Sequence, residues 1–299
     1  MNPSPSVAGA PISWGVIEIP EWGYQMPSDR LLREAAAIGL TAMEAGPEGF
    51  LPEDPADVSR VLARHDLGIV GGFVPAVLHD AQARREGLDL VERRAEFFAA
   101  AGADTLVLAA ITPSWSFEET AELDGAAWEE LFGNLSRVED ICARHGLRAV
   151  LHSHFGTIVE TDEHLWRFLE GSDMGLCLDT GHLVIGGSDP IEVAERAADR
   201  VEHVHLKDVD RDVAKRLGAR EIGFKEACSQ GAFRPLGDGD VDVARLLEIL
   251  DRSGYGGWYV LEQDIVVEGE PPEGEGPADD IRKSLEFLET ALEGSTRGR

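Results

Sequence analysis

Short apolar runs recur along this chain, each followed by a stretch whose apolar residues return at helical spacing. The runs Val7–Trp14, Thr41–Gly46, Leu67–Pro75, Thr105–Ala110, Arg148–His154, Gly175–Thr180, Val201–Asp208 and Trp258–Gln263 predict strands. The helical patterns begin near Ser28 and cover Asp57–His65, Gly87–Ala101, Asp124–His145, Asp162–Glu170, Pro190–Ala198, Val241–Ser253 and Pro277–Leu292. Such alternation implies parallel strands with helical crossovers. Eight units in a chain of 299 residues suit a closed (β/α)8 TIM barrel, an architecture of about 250 residues. A doubly wound open sheet would need a glycine-rich phosphate turn after its first strand. Ser13-Trp-Gly-Val-Ile-Glu-Ile-Pro20 is not one. The expectation is a single α/β barrel domain over residues 1–299, with no linker dividing it.

Local signals refine the helix starts. Ser28 reads as an N-cap, and Asp189-Pro190 places proline in a first turn. Long connections follow strand one (Trp14–Pro27) and strand seven (Val209–Asp240), where barrel loops commonly cover a site. Glu268-Gly-Glu-Pro-Pro-Glu-Gly-Glu-Gly-Pro277 reads as a flexible acidic loop.

The polar residues break the apolar pattern at one end of the strands, where barrel enzymes place their active sites. Strand two ends in Glu44, strand five in His152-Ser-His154, strand six in Asp179 and His182. Strand seven carries His203-Val-His205-Leu-Lys207, and strand eight ends in Glu262-Gln-Asp264. Side chains two apart share a face of a strand. The histidines and Lys207 therefore face the barrel axis, with Val204 and Leu206 toward the helices. Glu262 stands in an otherwise apolar strand, where a carboxylate is costly unless paired or bound to metal. A single buried histidine is usually a hydrogen-bonded core residue, and His203 is read that way. Asp179, His205 and Glu262 together are read as metal ligands. Their mixed nitrogen and oxygen donors suit Mn²⁺, Co²⁺, Fe²⁺ or Zn²⁺. His65, His79, His145 and His164 are read as ordinary surface residues.

Composition narrows the functional class. Net charge is −29, with 56 acids against 27 bases. That field repels phosphate backbones and anionic lipid, so neither a nucleic-acid nor a membrane partner is expected. The charge itself reads as a solubility device, and a homo-oligomer is compatible with it. No apolar run approaches the roughly 20 residues that span a bilayer. Met1-Asn-Pro-Ser-Pro-Ser6 lacks the basic start and apolar core of a signal peptide. A cytoplasmic location is the expectation. Cys142, Cys177 and Cys228 read as reduced, buried thiols.

Cys177-Leu-Asp-Thr-Gly-His182, His203-Val-His-Leu-Lys-Asp208, Pro235-Leu-Gly-Asp-Gly-Asp240 and Gly257-Trp-Tyr-Val-Leu-Glu262 resemble motifs of the sugar phosphate isomerase/epimerase superfamily of xylose isomerase-like barrels. Within it, Ala10-Pro-Ile-Ser-Trp14 and His152-Ser-His-Phe-Gly-Thr157 look most like inosose dehydratases. The resemblance implies one divalent metal, Mn²⁺ or Co²⁺ first, with Zn²⁺, Fe²⁺ or Mg²⁺ compatible. The superfamily's ligands, Glu, Asp, His and Glu from strands five to eight, carry over as His152, Asp179, His205 and Glu262. Histidine at the first position departs from the wider pattern, and either His152 or His154 is open as the ligand. The implied reaction removes water from a keto-cyclitol such as 2-keto-myo-inositol through an enediolate, with the metal on the ketone and a neighbouring hydroxyl. His154 or Glu262 would act as base, with His182 and Lys207 delivering protons and holding substrate oxygens. Glu44 and Trp14 are candidates to line the pocket, with packing the alternative for Trp14. An aldose–ketose isomerase or keto-sugar 3-epimerase would use the same metal and enediolate. An abasic-site endonuclease shares the barrel, but the charge speaks against it, and a non-catalytic sugar-binding role is the remaining reading.

Overall fold

In a computed structural model, which describes residues 6–297, the strands form a ring. Met1–Pro5, read above for leader features, lie outside the described residues. The barrel strands are Ser6–Gly9, Ala42–Met43, Gly68–Ile69 continuing as Gly71–Ala76, Thr105–Ala110, Arg148–His152, Gly175–Asp179, Val201–Leu206 and Trp258–Leu261. Strand one pairs with strands two and eight, and the remaining strands follow in chain order. All these pairings are parallel. The two pieces of strand three stand at opposite ends of the sheet order. The ring closes through them, and Ala45 N donates to Gly71 O at 2.8 Å. Gly71 also lets strand three lie close against strand four, because a Cβ there would lie 2.0 Å from the Thr105 carbonyl oxygen.

The barrel interior and the helix layer are packed by different residues. The large apolar side chains lie mainly between strands and helices, in one continuous core that includes Leu31, Leu106, Leu108, Leu151, Leu176, Val204 and Leu261. Inside the ring, small groups fill the narrow lumen: Ala8, Ala42, Val70 and Val260 on one side, Val107, Val150 and Cys177 on the other. Alternation then fixes the next layer. Two residues beyond Ala42, Val150, Cys177 and Val260 come Glu44, His152, Asp179 and Glu262. The pairing of strands six and seven slips by one residue, from Leu176↔Val201 to Cys177↔His203, and brings His205 beside Asp179.

Several expected boundaries move. Strand one stops at Gly9, and Pro11–Trp14 forms a 3-10 turn instead. Proline has no N–H for a ladder and fixes φ, so the strand ends before it. Strand five stops at His152 and strand eight at Leu261, so His154 and Glu262–Asp264 lie on connections just past the ladder. His182 sits in a short helix, Thr180–Ile185. Ser28 is the first helical residue rather than a cap, and Pro27 holds the cap position without a side-chain bond. Asp189 does cap, accepting from Ile191 N at 3.0 Å.

Long connections are ordered by specific bonds. The chain after strand seven contains Arg211–Gly218 and Phe224–Ser229 as helices. The acidic segment expected to be flexible is tied to the first helix: Arg30 donates to Pro271 O and Glu270, and Glu34 accepts from Gly274 N. His164 is buried beside Trp128 rather than on the surface. Among the described residues no helix is long and apolar enough to cross a membrane.

Candidate active site and metal centre

A cavity of about 420 Å³ opens at the C-terminal ends of the strands. His152, His154, His205, Glu44, Glu262 and Asp264 line its polar floor. Phe73, Trp115, Phe117 and Phe224 are among its apolar walls.

Asp179 organises the floor because it ends a strand and starts a helix at once. Its Oδ1 caps the helix, accepting from Gly181 N at 2.9 Å and His182 N at 2.8 Å. Its Oδ2 is left to face His152 Nε2 at 3.1 Å, His205 Nδ1 at 3.5 Å and Lys207 Nζ at 3.6 Å. Gly181 lets the lysine pass, since a Cβ there would lie 2.8 Å from Lys207 Cβ.

His205 is held from behind. Its Nε2 meets Glu44 Oε1 at 3.0 Å, and His203 Nε2 meets the same oxygen at 3.0 Å. This arrangement aims His205 Nδ1 at Glu262 Oε2, 2.6 Å away. The two atoms are close but lack hydrogen-bond geometry, and both are buried polar atoms with no hydrogen-bond partner. Ligand atoms of Asp179, His205 and Glu262 all lie within 4.8 Å of one another. Ligand atoms that converge this closely while two of them lack a hydrogen bond fit a shared cation, which would displace the His205 proton on binding. The buried His, Asp and Glu groups are therefore able to hold a metal ion, and the Glu44–His205 contact is the outer carboxylate–imidazole pair that orients such ligands.

Charge balance is reached inside the barrel. Lys207 is 1% exposed, rare for an unpaired lysine. It donates to both oxygens of Asp264 at 2.9 Å and stands 3.2 Å from Glu262 Oε1. Burial opposes its charge, but Asp179, Asp264 and Glu262 outweigh that and hold it protonated. Burial pushes Asp264 up to about 7, against the pull of Lys207. Burial first, and then the neighbouring His152 and Lys207, push His154 down to about 3. His182 falls for the same leading reason. His205 rises despite burial, because its neighbours Cys177, Glu262 and Glu44 favour its charged form.

The predicted residues thus converge, with distinctions. Trp14 does not reach the cavity, which corrects the expectation that it lines the pocket. It is fully buried and its indole N–H donates to Glu34 at 3.0 Å, which satisfies its polar end within the core. Glu44 does line the cavity, but its oxygen is engaged by two imidazoles. His182 and Lys207 lie just beneath the lining: the His182 ring packs 3.7 Å from that of His154, and Lys207 Nζ meets His182 Nε2 at 3.1 Å. His154 Nδ1 sits 2.6 Å from the Phe155 carbonyl oxygen, so it carries the proton and leaves Nε2 as an acceptor.

Two residues acquire roles that the strand pattern alone had not separated. Asp264 stands on the cavity face and carries the Lys207 contact; its spacing of two from Glu262 is the signal for it. Asp208 leaves the site altogether. It accepts from Val209 N, Gly237 N, Gly239 N and Val241 N at 2.9–3.0 Å, so Pro235–Asp240 is a loop folded around a buried carboxylate.

The family model described as xylose isomerase-like TIM barrel matches residues 32–291. An inosose dehydratase of Geobacillus kaustophilus (strain HTA426) is 32% identical over 85% of this chain and 86% of its own. A solved L-ribulose 3-epimerase superposes with a TM-score of 0.72 at 17% identity, covering 99% of this chain and 97% of that one. IOLI protein with a binding zinc atom superposes with a TM-score of 0.70 at 16% identity, covering 97% and 99%.

Proposed function

The chain belongs to the xylose isomerase-like TIM-barrel family, and from that premise we propose that it dehydrates a keto-cyclitol such as 2-keto-myo-inositol (scyllo-inosose) in inositol catabolism. The observation that carries the reading is the convergence of Asp179, His205 and Glu262, with His152 facing Asp179, on a cavity floor that His154 and Asp264 share. The similarity to an inosose dehydratase over most of both chains supports it.

In this reading His152, Asp179, His205 and Glu262 hold one divalent ion. Of the two candidate histidines His152 is assigned the ligand role, because its Nε2 faces Asp179 while His154 spends Nδ1 on a carbonyl. Mn²⁺ or Co²⁺ is the proposed ion on the mixed donor set. When bound, it supplies Lewis-acid polarisation of the substrate ketone and so acidifies the neighbouring C–H.

The chain supplies the proton chemistry. His154 Nε2 accepts the proton α to the carbonyl, and the Phe155 carbonyl and the His182 ring hold the imidazole in place. Asp264 donates to the departing β-hydroxyl, which leaves as water. Lys207 orients Asp264 through two hydrogen bonds and acts through it rather than on substrate. The aromatic walls exclude solvent from the enediolate. An isomerase or 3-epimerase would begin with the same deprotonation and return the proton to carbon instead of losing water. Incubating the protein with scyllo-inosose, with and without Mn²⁺ or Co²⁺, tests the reading through the absorbance of the dione. Metal-dependent dione formation is the expected result; interconversion of ketoses with no dione would replace it by the isomerase reading.

A further inference from the structure

Arg94 is the only lysine or arginine that lines the cavity among the described residues. It projects from the helix Arg84–Ala101, after strand three, across the barrel from the ligands of strands six to eight. Its guanidinium carbon lies 4.6 Å from the Phe98 ring and 5.0 Å from the Phe97 ring, which fixes the plane of the fork. The side chain is only 16% exposed, yet it donates no hydrogen bond among the described residues. Its one ion-pair partner, Glu48, stands 3.6 Å away, beyond hydrogen-bond distance, and is itself 76% exposed. Burial works against the charge and Glu48 only partly offsets it. An arginine so placed presents a rigid fork of donors to the cavity, with Glu48 the one acceptor beside it.

We propose that Arg94 is a specificity-determining residue whose guanidinium binds a pair of vicinal hydroxyl oxygens on the side of the substrate ring remote from the metal ligands. The inference rests on the dehydratase reading for the ring's identity, but not for the contact. It places the keto-diol over His152, Asp179, His205 and Glu262 and the far hydroxyls under the fork. A polyol with adjacent hydroxyls at that end is thereby preferred over a shorter or deoxygenated ring.

The test compares wild type with Arg94→Met and Arg94→Lys, on scyllo-inosose and on a deoxy analogue lacking a remote hydroxyl. Arg94→Met should raise KM about tenfold or more while kcat stays within about twofold, because the contact is equal in ground and transition states. Arg94→Lys should recover part of the loss, and the deoxy analogue should show a smaller Met penalty. Equal metal content and melting temperature in the variants exclude a folding defect. An unchanged KM in Arg94→Met overturns the proposal. Should wild type convert a ketose and not scyllo-inosose, the dehydratase reading fails while the same KM comparison on that ketose still tests Arg94. Should neither react, calorimetric titration of the Mn²⁺-loaded proteins with myo-inositol decides: weaker binding by Arg94→Met supports the contact, and equal or absent binding overturns it.

Discussion

The two halves of the barrel rim are built from opposite materials. Strands five to eight deliver His152, Asp179, His205 and Glu262, with Lys207 and Asp264 balancing charge around them. Strands one to four and the segments after them deliver mainly walls, such as Pro11, Ile12, Phe73 and Pro75, with Glu44 engaged by two histidines and Glu18, Glu48 and Arg94 as the other charged lining residues. The polar half is costly to bury and is tolerated because each charge meets an opposite one. The apolar half makes that low-dielectric setting and costs nothing to bury. On the proposed reading the halves divide the labour: one holds the reacting groups, and the other keeps water from them. Glu44 is where the halves meet, reaching across to fix the outer nitrogen of His205.

The comparison is broken most severely at Asp179. In Asp179→Asn the amide oxygen can still cap Gly181 and His182, so the fold should survive with an unchanged far-ultraviolet circular dichroism spectrum. The lost charge at Oδ2 should remove metal and lower turnover by about a thousandfold or more, read by metal analysis and activity. Full activity in that variant would reject the site. Acid breaks the same half more gently. His152, His154 and His182 have lowered pKa values, with burial as the first cause. The unfolded chain therefore binds more protons below pH 6.5. Stability that is present above that pH should fall as pH drops toward about 3, the value for His154, in metal-free protein. Urea melts of metal-free wild type and His154→Gln check this, and the variant should show a flatter acid limb.

The junction is tested by Glu44→Gln, which keeps the shape and removes the charge behind His205. Metal affinity should drop about 10–100-fold, measured by competition with a chelator, with partial turnover restored at high metal concentration. The apolar half is tested by Phe73→Ala, which removes the ring packed edge-on against His152. KM should rise by about fivefold or less with metal content unchanged. A loss of metal there would show that the two halves are not separable as described.

Much of this was legible before folding. Alternation along strand seven placed His203, His205 and Lys207 on one face, and all three do turn inward. The same parity applies to Glu262 and Asp264, but it does not show which group meets Lys207. Boundaries failed where a local event ended the ladder. Pro11 turned the predicted end of strand one into a 3-10 turn and sent Trp14 into the core. The acidic segment looked flexible because composition reports charge, not partners; Arg30 and Glu34, about 240 residues away in the chain, tie it down.

The sequence by itself determined the repeated strand–helix unit, the small residues that fill the lumen, and the set of ionisable groups at the strand ends. These follow from periodicities of two and 3.6, which are local properties of the chain. Only the tertiary structure decided how those groups divide: Asp179 between cap and floor, His205 between Glu44 and Glu262, Asp208 withdrawn into a loop, Arg94 across the cavity with an unspent fork. Each of these depends on which atom of a side chain meets a group dozens to hundreds of residues away. That is set by strand register, ring closure and packing, none of which a local pattern encodes.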